Sequence, residues 1–176
     1  FRVEEILKTD ATLVYQKDVS FTAQGQINVI DLFYAHEDWW NPDVLYRFAR
    51  ERFTQPAPAS FYFLKFPKGA NPRSTKEKVR ALFGIGNHPM HINDTHGETC
   101  MIAEALLNPN SLHYLNTAEP KDFPVLKENL GLYAAALPPA REEREQFCVD
   151  SSSVLAMYGY RDSRDVDYIS VSKTEL

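Results

Sequence analysis

Cysteine is scarce in this chain of 176 residues, which contains only Cys100 and Cys148. They are far apart and neither belongs to a Cys-x-x-Cys pair, which excludes a disulfide scaffold and a structural zinc site. We expect both to be small buried residues in a reducing compartment, the cytoplasm. The start of the chain has no signal-peptide pattern and no initiator methionine, so we expect a piece of a longer, multidomain protein.

Long apolar runs and an excess of positive charge are also missing. No run approaches the roughly 18 residues that a membrane helix needs, so we expect no membrane span. The 19 basic and 24 acidic side chains give a net charge of −5, which argues against a general nucleic-acid coat but leaves room for a local basic pocket. Eleven Phe and nine Tyr provide bulk for one core, and the length predicts a single domain over 1–176.

Hydrophobic periodicity predicts strands that alternate with helices. In the first half we predict strands at 12–15, 61–66 and 90–92, and helices at 24–34, 41–53, 76–83 and 95–107. In the second half we predict helices at 123–136 and 152–158, and strands at 147–149 and 166–171. The Pro-rich stretch 55–58 should break the chain between elements. This order predicts an α/β or mixed α+β fold with a single central sheet flanked by helices.

Several predicted helices carry start or stop signals. Asn41 before a proline is typical of a helix start, and Gly84 is typical of a helix end. Ser74 with a glutamate three residues later, and Thr95 with Glu98, have the spacing of capping boxes.

The segment 147–169 carries the clearest chemical pattern. An apolar strand leads into a serine turn and a short helix, and Asp165 and Asp167 follow on the next predicted strand. Side chains two apart on a strand point to the same face, so these carboxylates repel unless a cation lies between them. Carboxylate oxygens suit Mg²⁺ or Mn²⁺. We therefore predict a metal site at Asp165 and Asp167.

Phosphate-binding groups flank this pair of carboxylates. Ser151 and Ser152 lie at the strand-to-helix turn and can offer hydroxyl and amide groups to a phosphate. Arg161 and Arg164 are the nearest cations in sequence, and arginine binds phosphate in a bidentate way. We predict these four residues as the substrate-binding set. The alternative is that the charged residues form only a solvated edge.

This layout resembles the nucleotidyltransferase superfamily, the polymerase-beta-like fold. In that family a Gly-Ser or Gly-Gly turn precedes a helix, and an Asp-x-Asp follows on the next strand. The resemblance implies that Ser151 holds the triphosphate and that Asp165 and Asp167 bind the metal. Two departures stand out. Asp150 occupies the place of the usual glycine, and the family's third carboxylate lies on a later strand, whereas this sequence stops at Leu176. Either the fragment ends before that strand, or the site is incomplete or differently built.

A second cluster of polar residues lies in 84–99. The histidines there fit no standard zinc spacing, and no cysteine supports such a site. The start of the helix at 95 can instead favour an anionic ligand, and His91 and His96 can donate to a phosphate or transfer a proton near neutral pH. We predict His91, Asp94 and His96 as catalytic, against the alternative that Thr95 and Glu98 merely cap a helix. A hydrolase lacks a suitable nucleophile here.

The stretch 93–116 resembles uncharacterised parts of multidomain glycan-assembly proteins, which implies a sugar substrate. We predict a metal-dependent transferase acting on an NTP or a nucleotide-sugar, with a glycan acceptor and further domains of the same chain as partners. A lone Asp-x-Asp is also used by many glycosyltransferases, so glycosyl transfer is one alternative. A degenerate, non-catalytic binding module is the other.

Overall fold

The structure is a computed structural model that describes residues 2–53 and 58–171. The chain divides into two compact units, Phe1–Asn116 and Thr117–Leu176, called unit 1 and unit 2. The single domain predicted over 1–176 stays a prediction. Of the predicted break at 55–58, residues 55–57 lie outside the described residues.

Unit 1 combines one two-stranded sheet with helices. Its elements are α1 (Arg2–Asp10), β1 (Thr12–Val19), α2 (Ala23–Tyr34), α3 (Pro42–Arg52), β2 (Ala59–Lys65), α4 (Pro72–Phe83), α5 (His96–Leu107) and α6 (Pro109–Thr117), which ends at the unit boundary. β1 and β2 pair antiparallel, with Thr12 opposite Lys65 and Val19 opposite Ala59. The strands predicted at 12–15 and 61–66 are thus confirmed.

Local capping explains where these helices begin and end. The Asn41 side chain accepts a hydrogen bond from the Val44 N–H at 3.1 Å, so α3 begins as predicted. α4 begins four residues earlier than predicted, because Asn71 is its cap and Ser74 lies inside its first turn, donating to the Asn71 carbonyl. The capping box predicted at Ser74 is therefore wrong. Gly84 ends α4 with φ 65°, as predicted.

Two other predictions for unit 1 fail for identifiable reasons. Residues 90–92 form no strand, because the Met90 carbonyl accepts hydrogen bonds from the Arg80 guanidinium at 3.1 and 3.3 Å. No helix was predicted between 107 and 123, but the pair Asn108-Pro109 follows the end of α5. It also begins α6, since the Asn108 side chain accepts from the Asn110 N–H at 2.9 Å.

The core of unit 1 is formed where α2, α3, α5 and α6 meet. The buried cluster consists of Val29, Ile30, Ala49, Ile102, Leu106 and Leu115, with aromatic rings packed against it. Val29 and Leu106 are fully buried. Each fully buried side chain of this size contributes about 1.5–3 kcal/mol to folding, so this cluster holds the four helices together.

Unit 2 contains α7 (Pro124–Ala136), α8 (Arg141–Arg144), β3 (Phe147–Val149), α9 (Ser151–Met157) and β4 (Tyr168–Ser170). β3 and β4 pair antiparallel, with Phe147 opposite Ser170 and Val149 opposite Tyr168. The predicted order of strand, helix and strand is confirmed. β4 begins only at Tyr168, so the prediction that Asp165 and Asp167 lie on one strand is wrong.

Serine hydroxyls explain the late start of β4. The Asp165 carbonyl accepts from Ser153 Oγ at 3.2 Å and from Ser163 Oγ at 3.0 Å, and the Asp167 N–H donates to Ser153 Oγ at 3.0 Å. Backbone groups that bond side chains are not free for a strand ladder. Two further backbone bonds continue the ladder, from the Asp150 N–H to the Asp167 carbonyl and from the Val171 N–H to the Gln146 carbonyl.

The mixed α+β class is confirmed by these elements. Where a single central sheet was predicted, the described strands form two separate two-stranded antiparallel sheets, β1-β2 and β3-β4. Across 2–53 and 58–171, no helix has the length and apolar character needed to cross a bilayer.

Candidate functional site

A network of serine hydroxyls organises the candidate site in unit 2. Ser153 is fully buried and Ser163 is 5% exposed, and both bond the backbone that carries the two aspartates. Ser152 Oγ lies 3.0 Å from Ser163 Oγ, so α9 is tied to the segment before β4. Buried hydroxyls with partners hold a fixed geometry.

The two aspartate side chains approach the same pair of hydroxyls. Ser152 Oγ lies 3.4 Å from Asp167 Oδ2, and Ser163 Oγ lies 3.3 Å from Asp165 Oδ1. Both aspartates are exposed. The structure thus brings Asp165, Asp167 and Ser152 together, although the two aspartates are not on a strand. Ser163 was not predicted, because a small residue between two charged ones gives no sequence signal.

The remaining phosphate-binding candidates lie close to this group in sequence. Ser151, Arg161 and Arg164 are exposed. Ser151 has φ 53°, the left-handed conformation that glycine favours, at a cost of about 1–3 kcal/mol for other residues. The glycine-like turn therefore falls one residue after Asp150. The Arg164 carbonyl accepts from the Asn129 side chain at 2.8 Å, which fixes the backbone of Arg164 against α7.

An open cleft of about 420 Å³ adjoins Asp165. It lies between α7 and the segment that leads into β4, and its lining residues include Asn129, Leu132, Tyr133, Arg164, Asp165 and Tyr168. The Tyr133 and Tyr168 ring centroids are 5.7 Å apart. The cleft combines aromatic surface with one cation and one carboxylate, a combination that suits a polar ring carrying a charged group.

The donor set limits which metal this site could hold. Among the described residues, no group of three or more His, Cys, Asp and Glu side chains is placed to hold an ion. Asp165 and Asp167 therefore offer two carboxylates with serine hydroxyls beside them. Mg²⁺ is commonly held by one or two carboxylates together with water and substrate phosphates, so these oxygen ligands fit that class of ion.

The histidine cluster lies in unit 1. His91 is half-buried, its Nδ1 lies 2.9 Å from the Tyr34 hydroxyl, and its ring stacks on Phe33 at 5.5 Å. Burial, and then the positive charge of Lys76, lower the pKa of His91 from 6.5 to about 4. His91 is therefore a neutral hydrogen-bonding group at pH 7, and only a weak base.

The other predicted catalytic residues in unit 1 lie at the start of α5. The Thr95 side chain accepts from the Glu98 N–H at 3.2 Å, and Glu98 accepts from the Asp94 N–H at 2.9 Å, so the predicted cap is confirmed. The backbone N–H groups of Asp94 and Glu98, which could have bound an anion, are thus already hydrogen-bonded within the protein. His96 is exposed, and its Nε2 lies 3.6 Å from Cys100 Sγ.

The state of the cysteines differs from the prediction. Cys100 and Cys148 are both free thiols, as expected, but both are exposed rather than buried. Cys100 lies on the outer face of α5, and Cys148 lies on β3 with Sγ 3.4 Å from the Val149 carbonyl. Their apolar sequence neighbours gave the wrong indication, because neighbours on a strand or helix point in different directions.

Lowering the pH is expected to destabilise unit 1 through His91. Its folded pKa lies below the unfolded value, so its contribution is fully present above about pH 6.5 and is lost as the pH falls towards 4. Going from pH 7 to 4.5 should cost about 2.5 kcal/mol from this residue. Urea unfolding followed by tryptophan fluorescence measures this, because Trp39 and Trp40 both lie in unit 1.

The control for this pH effect is His91→Gln, which removes the titrating group and keeps a polar side chain. The carboxylates titrate in both proteins, so the difference between the two pH profiles isolates His91. If the free energy of unfolding changed with pH in the same way in wild type and variant, the destabilising role of His91 would be contradicted.

Comparison with known proteins identified no relative of this chain. No family model, curated protein or solved structure matches the chain. The resemblance to nucleotidyltransferases therefore depends on the residues of 147–169 alone.

Proposed function

We propose that unit 2 binds a divalent cation, Mg²⁺ or Mn²⁺, through Asp165 and Asp167, and uses it to hold a nucleotide-activated donor for group transfer. The observation that carries this proposal is the pair of linked serine hydroxyls, one within 3.4 Å of each carboxylate. Carboxylates held in fixed positions bind an ion better than mobile ones, and the buried hydroxyls of Ser153 and Ser163 hold the backbone that carries both aspartates.

Charge balance supports a cation at this place. Across the described residues, neither Asp165 nor Asp167 has a salt-bridge partner. Two unpaired carboxylates beside one hydroxyl pair repel each other, and a divalent ion relieves that repulsion while it gains hard oxygen ligands.

The neighbouring cleft supports a donor with a ring and phosphates. Tyr133 and Tyr168 offer aromatic surface on which a base or sugar ring can pack. Arg164 lies on the same cleft and, by its fork of N–H donors, suits a phosphate. Asp165 lies on this cleft as well, so metal and donor would share one carboxylate.

The reaction class follows from this combination. A bound divalent ion would neutralise charge on the donor phosphates, while Arg164 and Ser152 orient the phosphate oxygens. Two reactions fit this arrangement. Nucleotidyl transfer would attack the α-phosphorus of an NTP, and glycosyl transfer would attack the sugar carbon of a nucleotide-sugar. A glycan acceptor is proposed from the resemblance of 93–116 alone. The acid–base roles of His91, Asp94 and His96 stay predictions for unit 1.

Thermal shift tests the proposal with the full chain. It is melted with each of a panel of NTPs and nucleotide-sugars, with and without Mn²⁺. A saturating ligand that binds the native state should raise the melting temperature by about 3 °C or more, and only when Mn²⁺ is present. The double substitution Asp165→Asn with Asp167→Asn should abolish that shift.

The pattern of shifts separates the alternatives. A shift with one nucleotide-sugar indicates glycosyl transfer, and a shift with NTPs alone indicates nucleotidyl transfer. A nucleotide that binds equally well without Mn²⁺ would favour the non-catalytic module. No shift with any donor would refute the proposed function.

A further inference from the structure

Unit 1 contains a cavity of about 850 Å³, which the proposed cation site in unit 2 does not use and which His91, Asp94 and His96 help to line. It lies between the β1-β2 sheet and helices α2, α4 and α5, with residues 88–96 along one side. This volume falls within the range of small-molecule sites, which is roughly 300–1,000 Å³.

The walls of this cavity are largely apolar and aromatic. Phe33, Phe61, Phe63 and Ile102 line it. Phe33 and Phe61 are in contact, with ring centroids 6.3 Å apart at an angle of 64°. Rings in such an edge-on arrangement form a surface that suits a flat apolar group.

Two nitrogen atoms on the cavity wall lack a hydrogen bond. Among the residues that the structure describes, the buried side-chain nitrogen or oxygen atoms without a hydrogen bond are Arg52 Nη1 and His88 Nδ1. Both residues line this cavity. Most buried polar atoms are hydrogen-bonded. His88 Nδ1 already faces a carboxylate, because Glu51 Oε2 lies 3.8 Å away, so Arg52 Nη1 is the nitrogen that indicates a missing acceptor.

The Arg52 guanidinium is held in place by rings. Its Cζ lies 3.8 Å from the centre of the Phe48 ring and 5.7 Å from the centre of the Tyr34 ring. A guanidinium always carries its charge and has no acceptor atoms of its own. A fixed, buried N–H of this kind is best satisfied by an anionic oxygen.

The acidic residues that line the cavity do not supply an anionic acceptor for Arg52. Asp18 accepts a hydrogen bond from Ser60 at 2.6 Å, and Glu4 lies 3.4 Å from Lys8 Nζ. Asp94 is exposed at the start of α5. The positive charge of Arg52 therefore remains for a ligand.

We propose that this cavity binds a small organic anion, with its carboxylate or phosphate oxygen at Arg52 Nη1 and its apolar ring against Phe33 and Phe61. The ligand needs both parts, because the cavity offers one polar corner within apolar walls. It needs no divalent ion, which separates this site from the one in unit 2.

Isothermal titration calorimetry of the full chain, at pH 7 without divalent ions, tests this site. The probes are benzoate, phenyl phosphate, inorganic phosphate and benzyl alcohol. We expect saturable binding of at least one aromatic anion, and binding at least tenfold weaker for inorganic phosphate and for benzyl alcohol. Stronger binding of benzoate identifies a carboxylate ligand, and stronger binding of phenyl phosphate identifies a phosphate monoester.

Substitutions then locate the ligand. Arg52→Gln should weaken binding of the preferred anion at least tenfold, whereas Arg50→Gln, the same change on the exposed side of α3, should leave it unchanged. Arg52→Lys, which keeps the positive charge and removes the planar fork of donors, should weaken it several-fold and keeps the test decisive should Arg52→Gln not fold. Failure of both aromatic anions to bind, equal binding of benzyl alcohol, or unchanged binding by both folded variants would overturn the proposal.

Discussion

Gly159→Ala is expected to lower the free energy of unfolding of unit 2 by about 3–4 kcal/mol. Gly159 is buried with φ 82°, a conformation that costs free energy for any residue with a Cβ. A Cβ there would also overlap the Glu119 carbonyl oxygen and lie 2.8 Å from its carbon. The backbone cannot easily retreat, because the Glu119 N–H donates to the Tyr158 carbonyl at 3.1 Å.

The matched control is Gly131→Ala in the same unit. Gly131 is exposed within α7, and a Cβ there would have no atom within 4 Å. Alanine should therefore stabilise the helix by about 0.5–1 kcal/mol. Urea unfolding followed by circular dichroism measures both variants. Equal stabilities for the two variants would contradict the close packing at Gly159.

Leu106→Ala is expected to cost unit 1 about 2–5 kcal/mol. Leu106 is fully buried in the cluster formed by α2, α3, α5 and α6, so truncation leaves a cavity that the surrounding helices cannot fill. Leu107, the next residue on α5, is 42% exposed, and its substitution by alanine should cost less than about 1 kcal/mol.

Urea unfolding followed by tryptophan fluorescence reports the Leu106 and Leu107 variants, since both tryptophans belong to unit 1. Similar losses for the two variants would mean that α5 presents a different face to the core.

Local signals in the sequence predict much of the fold. Asn41 and Gly84 bound helices as expected, because their side-chain acceptor and their positive φ act on neighbouring residues only. The strand at 90–92 was wrong because a distant group, the Arg80 guanidinium, bonds the Met90 carbonyl. A periodicity argument cannot anticipate a partner ten residues away.

The candidate site was likewise only partly predictable from the sequence. The serine turn and the Asp165–Asp167 pair were visible as a pattern, and the structure brings Ser152 to Asp167. The roles of Ser153 and Ser163 were not visible, since they depend on hydroxyls that reach across a loop to backbone groups. The sequence also could not show that Arg52 Nη1 lacks a hydrogen bond, because residues remote in sequence bury that nitrogen.

Direct titration with Mn²⁺, following the free ion by electron paramagnetic resonance, tests whether Asp165 and Asp167 form a metal site. We expect the full chain to bind Mn²⁺ at a saturable site, and the variant with both Asp165→Asn and Asp167→Asn to bind it at least tenfold more weakly. The control removes two exposed carboxylates elsewhere in unit 2, by Asp122→Asn and Glu128→Gln, and should bind as the wild type does. Identical binding curves for the two double variants would show that these aspartates hold no metal.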